Sequence, residues 1–164
     1  MEYVIAGSEK NVVVWSKTAN KLIFEEDFNY IYSLTLSENE KYVQILDKID
    51  SNEGKTLIFS LPSMAKVVEF KENVLTNYYL KHSYPLARFT SDDKKCFRYN
   101  AKVIEVYDEE WKLQSELNSG PVEFFEVSKI SKYDNFMVAT LFLDKKTNSG
   151  TVYLFNQDSK DPFY

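Results

Sequence analysis

The sequence is short of the residues from which reactive sites are most often built. Its 164 residues include one cysteine, Cys96, and one histidine, His82. A single cysteine excludes an internal disulfide and fits a reducing compartment. One residue of each type also falls short of the three or four Cys/His ligands of a typical zinc site. Glycine is equally scarce. The 4 glycines, at positions 7, 54, 120 and 150, cannot build a Gly-rich phosphate loop. His82 stands beside Tyr79 and Tyr84 without a Gly-x-Ser-x-Gly elbow and reads as a loop or edge residue. Basic residues are outnumbered, 20 Lys+Arg against 25 Asp+Glu, for a net charge of −5. A dedicated nucleic-acid domain usually shows the opposite balance. There is no Asn-x-Ser/Thr acceptor, no secretory apolar segment and no apolar run near the roughly eighteen residues of a membrane helix. These absences predict a soluble cytoplasmic chain with no membrane partner, no cofactor, no metal and no catalytic residue.

What the sequence has in excess is aromatic and β-branched side chains. Aromatics make up 16%, as 12 Tyr, 12 Phe and 2 Trp, and flat rings suit the half-buried surface of a pleated sheet. Short apolar runs follow one another from Tyr3–Ala6 to Gly150–Phe155, several alternating as in Val103-Ile-Glu-Val-Tyr107. Polar turn clusters such as Ser37-Glu-Asn-Glu and Ser91-Asp-Asp-Lys separate them. The pattern predicts fourteen strands and no amphipathic helix of three turns. Leu75–Lys81 is read as an irregular connection or an extra strand.

The runs repeat. Four of them close on an aromatic followed by a small polar residue: Trp15-Ser16, Phe59-Ser60, Tyr107-Asp108 and Phe155-Asn156. A second register, Ser37-x4-Tyr42, Ser91-x4-Cys96 and Ser131-x4-Phe136, marks a turn ahead of the second, third and fourth closing aromatics. A period of forty-odd residues with four strands per repeat is that of the WD40-type propeller blade, and the aromatic–polar pairs occupy the slot of its Trp-Asp dipeptide. The predicted fold is therefore all-β, a WD40-like β-propeller of about three to four four-stranded blades. A β-sandwich is the alternative. The blades fall at 3–25, 31–70, 84–117 and 123–156 of a single all-β unit, 1–164, belonging to a larger propeller. The first is expected to lack its inner strand, and open strand edges predict self-association.

From Asn11 to Asp108 the order of features resembles the N-terminal propeller of the eukaryotic translation initiation factor 2A family. The resemblance is carried by Asn11-Val-Val-Val-Trp15, Ile31-Tyr-Ser-Leu-Thr-Leu-Ser37, Tyr84-Pro-Leu-Ala-Arg-Phe-Thr90, Asp92-Asp93, Cys96-Phe-Arg98 and Val103-Ile-Glu-Val-Tyr-Asp108. It implies a non-catalytic initiation factor with the small ribosomal subunit and initiator transfer RNA as partners. Propellers of initiation factor 3 subunit b are similar, and a WD40 scaffold outside translation that holds other proteins is the alternative function. The family's basic C-terminal tail has no counterpart here.

Few residues stand out as candidate contacts. Arg88, Lys94, Lys95, Arg98 and Lys102 interleave with Phe89, Phe97 and Tyr99, the mixture that tracks a phosphate backbone and stacks bases. Trp111 lies in a polar turn, either as a protein contact or as a partly covered anchor. Trp15, Phe59, Tyr107 and Phe155 are read as structural, packing between blades. Cys96 is read as a small buried hydrophobe. Asp92-Asp93 and Asp108-Glu109-Glu110 are read as solvated turns.

Overall fold

The computed structural model describes residues 1–50, 53–73, 87–90, 92–100, 103–118, 124–129, 136–144 and 149–156, with the backbone alone from 124 onward. His82, Leu75–Lys81, Lys102 and Ser131 lie outside them. Among the described residues there are fourteen strands, beginning with β1 (Tyr3–Gly7), β2 (Asn11–Ser16), β3 (Lys21–Asp27), β4 (Ile31–Leu36), β5 (Tyr42–Lys48), β6 (Glu53–Ser60) and β7 (Ala65–Asn73). Then come β8 (Ala87–Phe89), β9 (Lys95–Asn100), β10 (Val103–Asp108), β11 (Leu113–Leu117), β12 (Phe124–Lys129), β13 (Phe136–Asp144) and β14 (Ser149–Asn156). They form four antiparallel meanders, β1-β2-β3, β4-β5-β6-β7, β8-β9-β10-β11 and β12-β13-β14. The first two sheets belong to one compact unit, Met1–Leu86, and the last two to another, Ala87–Tyr164.

Alternation decides which side chains meet. Val43 and Ile45 on β5 share a face with Leu57 and Phe59 on β6, because Val43 lies opposite Phe59 and Ile45 opposite Leu57. That face packs with Val12 and Val14 of β2 in one buried cluster, joined by the half-buried Tyr3, Ile5 and Phe24 of the first sheet. The rings of Phe24 and Phe59 meet with centroids 5.4 Å apart. Gly7 sits where β1 comes closest to β4. A Cβ there would stand 3.0 Å from Leu34 Cδ2, so a larger residue requires the end of the Leu34 side chain to give way.

Three of the four closing aromatics, Trp15, Phe59 and Tyr107, fall at a β-bulge. In the hairpins β2–β3, β6–β7 and β10–β11 the register slips between Val14 and Trp15, Ile58 and Phe59, and Val106 and Tyr107. The extra residue increases the local twist. The polar residue that follows caps the hairpin: Ser16 Oγ accepts from Ala19 N, and Asp108 Oδ1 from Glu110 N and Lys112 N. Each of these turns contains one residue with positive φ: Asn20, Met64 and Trp111.

The β4–β5 and β8–β9 turns share a common set of hydrogen bonds. Ser37 Oγ accepts from Tyr42 N at 3.0 Å, and Thr90 Oγ1 accepts from Lys95 N at 3.1 Å. Glu40 and Asp93, both at φ 57°, donate to the carbonyls of Ser37 and Thr90. The counterpart of Ser37 is thus Thr90, one residue ahead of the expected Ser91. Asp93 is also buried rather than solvated.

The closing aromatics are unequal. Phe59 is 5% exposed, whereas Trp15 is 40% exposed. Trp15, read as packing between blades, is partly exposed, and among the described residues of the Met1–Leu86 unit it lies outside the buried cluster that holds Phe59. Phe59→Ala is therefore expected to cost about 3–5 kcal/mol, and Trp15→Ala less than about 1 kcal/mol. Urea unfolding of the two variants followed by far-UV circular dichroism checks this contrast.

Candidate functional site

Among the described residues of the expected basic cluster, Arg98 is withdrawn from the surface. Arg98 on β9 lies directly opposite Glu105 on β10, and both are buried. Arg98 Nη1 donates to Glu105 Oε2 at 2.6 Å. The second carboxylate oxygen accepts from Asn100 Nδ2 at 2.7 Å, and Tyr107 OH donates to Oε2 at 2.8 Å. Arg98 is thus an internal cation whose charge is spent on Glu105, which corrects its reading as a nucleic-acid contact. Phe97 and Tyr99, the rings expected to stack bases, are buried on the opposite face of the strand. Lys94 is exposed, Lys95 and Arg88 are half-buried, and the turn carries Asp92, which accepts from Lys94 N and Thr90 Oγ1.

The chemistry of this network is structural. Burial opposes ionisation of Glu105, but hydrogen bonds from Asn100, Tyr107 and Arg98 hold its carboxyl below its ordinary value of 4.5. Burial, then the hydrogen bond to Glu105, push the Tyr107 hydroxyl up to about 12. Cys96, on the same face of the sheet, is buried, and burial pushes its thiol well above the reactive range. Trp111 is half-buried, edge-on to Phe89 at 6.3 Å, with its backbone at φ 62°. Tyr107 is a half-buried member of the polar network, and the Phe155 side chain lies outside the described residues.

A more open surface lies in the Met1–Leu86 unit, around the loop that joins β3 to β4. The carboxylate of Asp47, buried near the end of β5, clamps this loop. Its Oδ1 accepts from the backbone of Asn29 and Tyr30, and its Oδ2 from Asn29 Nδ2, each at 3.0 Å. Lys48 N closes the arrangement on Tyr30 O at 2.8 Å. On one side of the loop is a cleft of about 540 Å³ whose lining includes Asp27, Asp47, Lys55, Lys66 and Glu69. Its two lysines are already paired. Lys55 and Lys66 reach Glu69 at 2.9 and 2.8 Å, and their hydrogen bonds hold its carboxyl below the ordinary range.

On the other side is a groove of about 510 Å³ lined by Asn29, Tyr30, Tyr32, Lys48, Ile49 and Asp50. Tyr30 is 41% exposed and Ile49 38% exposed. The two tyrosine rings stand edge to face at 5.4 Å. Lys48 Nζ lies 5.4 Å from the Tyr32 ring centre and 3.3 Å from its hydroxyl. Rigid aromatics and an aliphatic side chain held open on clamped backbone, with one cation at the edge, have the composition of a protein-contact surface. The sequence reading missed this groove, because Tyr30 and Ile49 adjoin only once β4 and β5 are paired.

The arrangement of sheets is shared with solved structures. The chain superposes on a eukaryotic initiation factor with a TM-score of 0.70 at 14% identity, over 97% of this chain and 40% of that one. It matches a chain of a mitotic checkpoint complex (TM-score 0.59, 15% identity) over 99% of this chain and 47% of that one. The β-propeller domain of Cps50 (Swd1) from Myceliophteria thermophila matches at 0.51 and 13% identity, over 92% of this chain and 47% of that domain. The fold is that of a WD40-like β-propeller. At these identities the likeness speaks for fold, and the chain spans less than half of each of these three chains. No protein-family model and no curated protein matches the sequence.

The buried pair gives a pH dependence of definite sign. The folded Glu105 carboxyl lies below its unfolded value, so its contribution is full above about pH 4.5 and is lost as pH falls through the lowered value. Tyr107 acts oppositely, its contribution being lost as pH rises from about 10 to about 12. Glu105→Ala, which strands the Arg98 charge, is expected to cost about 3–5 kcal/mol at neutral pH. Glu105→Gln is expected to flatten the acid limb of the stability–pH curve, measured by denaturant titration between pH 7 and pH 3.

Proposed function

We propose that this chain is a non-catalytic binding platform acting in translation initiation, of the initiation factor 2A kind. In this reading it works in the cytoplasm at the small ribosomal subunit and in delivery of initiator transfer RNA. The Tyr30–Tyr32–Ile49 groove makes the direct contact, with protein. The observation that carries the platform reading is this groove, held open by the three hydrogen bonds of Asp47. Support for the setting comes from the motifs between Asn11 and Asp108 and from the likeness to an initiation factor over 97% of the chain. The burial of Arg98 and the net charge of −5 favour a protein contact over a phosphate backbone.

A second reading, a WD40 protein-interaction scaffold outside translation, draws on the same groove. It is favoured by the likeness to a chain of a mitotic checkpoint complex. Co-sedimentation of the chain with purified small ribosomal subunits, at low and moderate salt, separates the two. The initiation reading expects co-migration at both salts. It also expects a loss of about tenfold or more in affinity for Tyr30→Ala combined with Ile49→Ala, and little change for Lys94→Glu. Absence of co-migration at either salt assigns the platform to the scaffold reading. A large loss for Lys94→Glu with none for the groove variant overturns the protein contact.

A further inference from the structure

Of the three lysines that line the two hollows beside the β3–β4 loop, Lys55 and Lys66 share the Glu69 carboxylate. Lys48, at the end of β5, has no carboxylate partner among the described residues. It is half-buried, its ammonium 5.4 Å from the centre of the Tyr32 ring and donating to the Tyr32 hydroxyl at 3.3 Å. Asp50 lines the same groove, but its Oδ1 accepts from Glu53 N at 2.9 Å within its own turn. An ammonium carries three protons, and a phenol that accepts one bond keeps its own proton to donate. Lys48 Nζ therefore has two donors left and Tyr32 OH one, and neither group has another hydrogen bond among the described residues. Beside them the Tyr30 ring, edge-on to Tyr32, and the Ile49 side chain are exposed. The groove thus joins two adjacent donors, one of them charged, to an apolar wall.

We infer that the groove receives a segment of a partner protein that sets an aspartate or glutamate carboxylate on Lys48 Nζ and Tyr32 OH, and a neighbouring apolar side chain against Tyr30 and Ile49. This rests on the reading of the groove as a protein contact and names the chemistry it takes. Charge complementarity selects the carboxylate. A hydrogen bond between an ammonium and a carboxylate is roughly twice as strong as one between neutral groups. Lys48 is already held on Tyr32, so little ordering is left for binding to impose. One lysine with Asp50 in the same lining suits a single negative charge, whereas phosphorylated motifs are met by clusters of arginines. The two recognition points are close, since Lys48 Nζ and the Tyr30 ring each lie 5.4 Å from the Tyr32 ring centre. Adjacent residues of one segment, with Cα atoms about 3.8 Å apart, reach both.

Two capped peptides, acetyl-Gly-Phe-Glu-Gly-amide and its glutamine counterpart, test it by amide shifts in the nitrogen-15-labelled intact chain. So short a segment is expected to bind with a Kd of about 1–10 mM, shifting the amides of Asn29, Tyr30, Tyr32, Lys48 and Ile49. The glutamine peptide is expected to bind about threefold or more weakly. Lys48→Met is expected to erase that difference, with the rest of the amide spectrum and the binding of the glutamine peptide unchanged. Should Lys48→Met fail to fold, Tyr32→Phe, which removes one donor and keeps the ring, is expected to shrink the difference. Equal binding of the two peptides overturns the carboxylate and leaves the protein contact of the groove standing. So does a preference that survives Lys48→Met, and so does tighter binding of a peptide with lysine or phosphoserine in place of the glutamate. Shifts from neither peptide overturn the inference together with the groove contact on which it rests.

Discussion

Val43, Ile45, Leu57 and Phe59 are buried in the Met1–Leu86 unit because the first sheet lies on them. The rest of that unit depends on this contact. A meandering antiparallel sheet can satisfy its own backbone, but it cannot cover its own apolar faces. Each sheet must therefore be both a cover for one neighbour and a surface to be covered. The two roles fall on opposite faces of one strand. Val12 and Val14 of β2 serve as cover and are fully buried, while Trp15 of the same strand remains 40% exposed.

The bulge and the capped turn make this arrangement repeatable. A strand slipped by one residue would turn every side chain to the wrong face. The slip before Trp15, Phe59 and Tyr107 brings each third strand to its hairpin at the same point. At the other turn a hydroxyl accepts from the backbone five residues on, while a left-handed residue three positions along reverses the chain. Ser37 with Glu40 and Thr90 with Asp93 do this with different side chains. The recurring element is thus a geometry, and its sequence can diverge widely while the sheets stay in register.

That divergence explains what the sequence made legible. Strand positions were readable because alternation and turn chemistry act locally, and the closing aromatics were readable because the bulge recurs at them. The turn register was misread by one residue because Thr90 and Ser91 both carry hydroxyls. Only the bond from Lys95 N singles out Thr90. The Arg98–Glu105 pair was within reach. Only two residues, Ala101 and Lys102, separate β9 from β10, and a hairpin that tight places 98 opposite 105. Reading charge along the chain hid a partner that lies across it. The Tyr30–Ile49 groove left no local signal, since its two halves are nineteen positions apart and come together through the Asp47 clamp.

The same physics bears on which kind of partner the surface can hold. A phosphate backbone is bound by cations free to exchange counterions for it. Arg98 has given up that freedom to a carboxylate already bonded to Asn100 and Tyr107, and freeing it would leave Glu105 buried without its cation. The groove makes the opposite trade. Asp47 spends a buried charge on loop backbone, and the result is a pair of exposed side chains with little freedom left to lose on binding. Buried charge in this chain therefore serves to fix geometry, and recognition is left to the side chains that this geometry holds open.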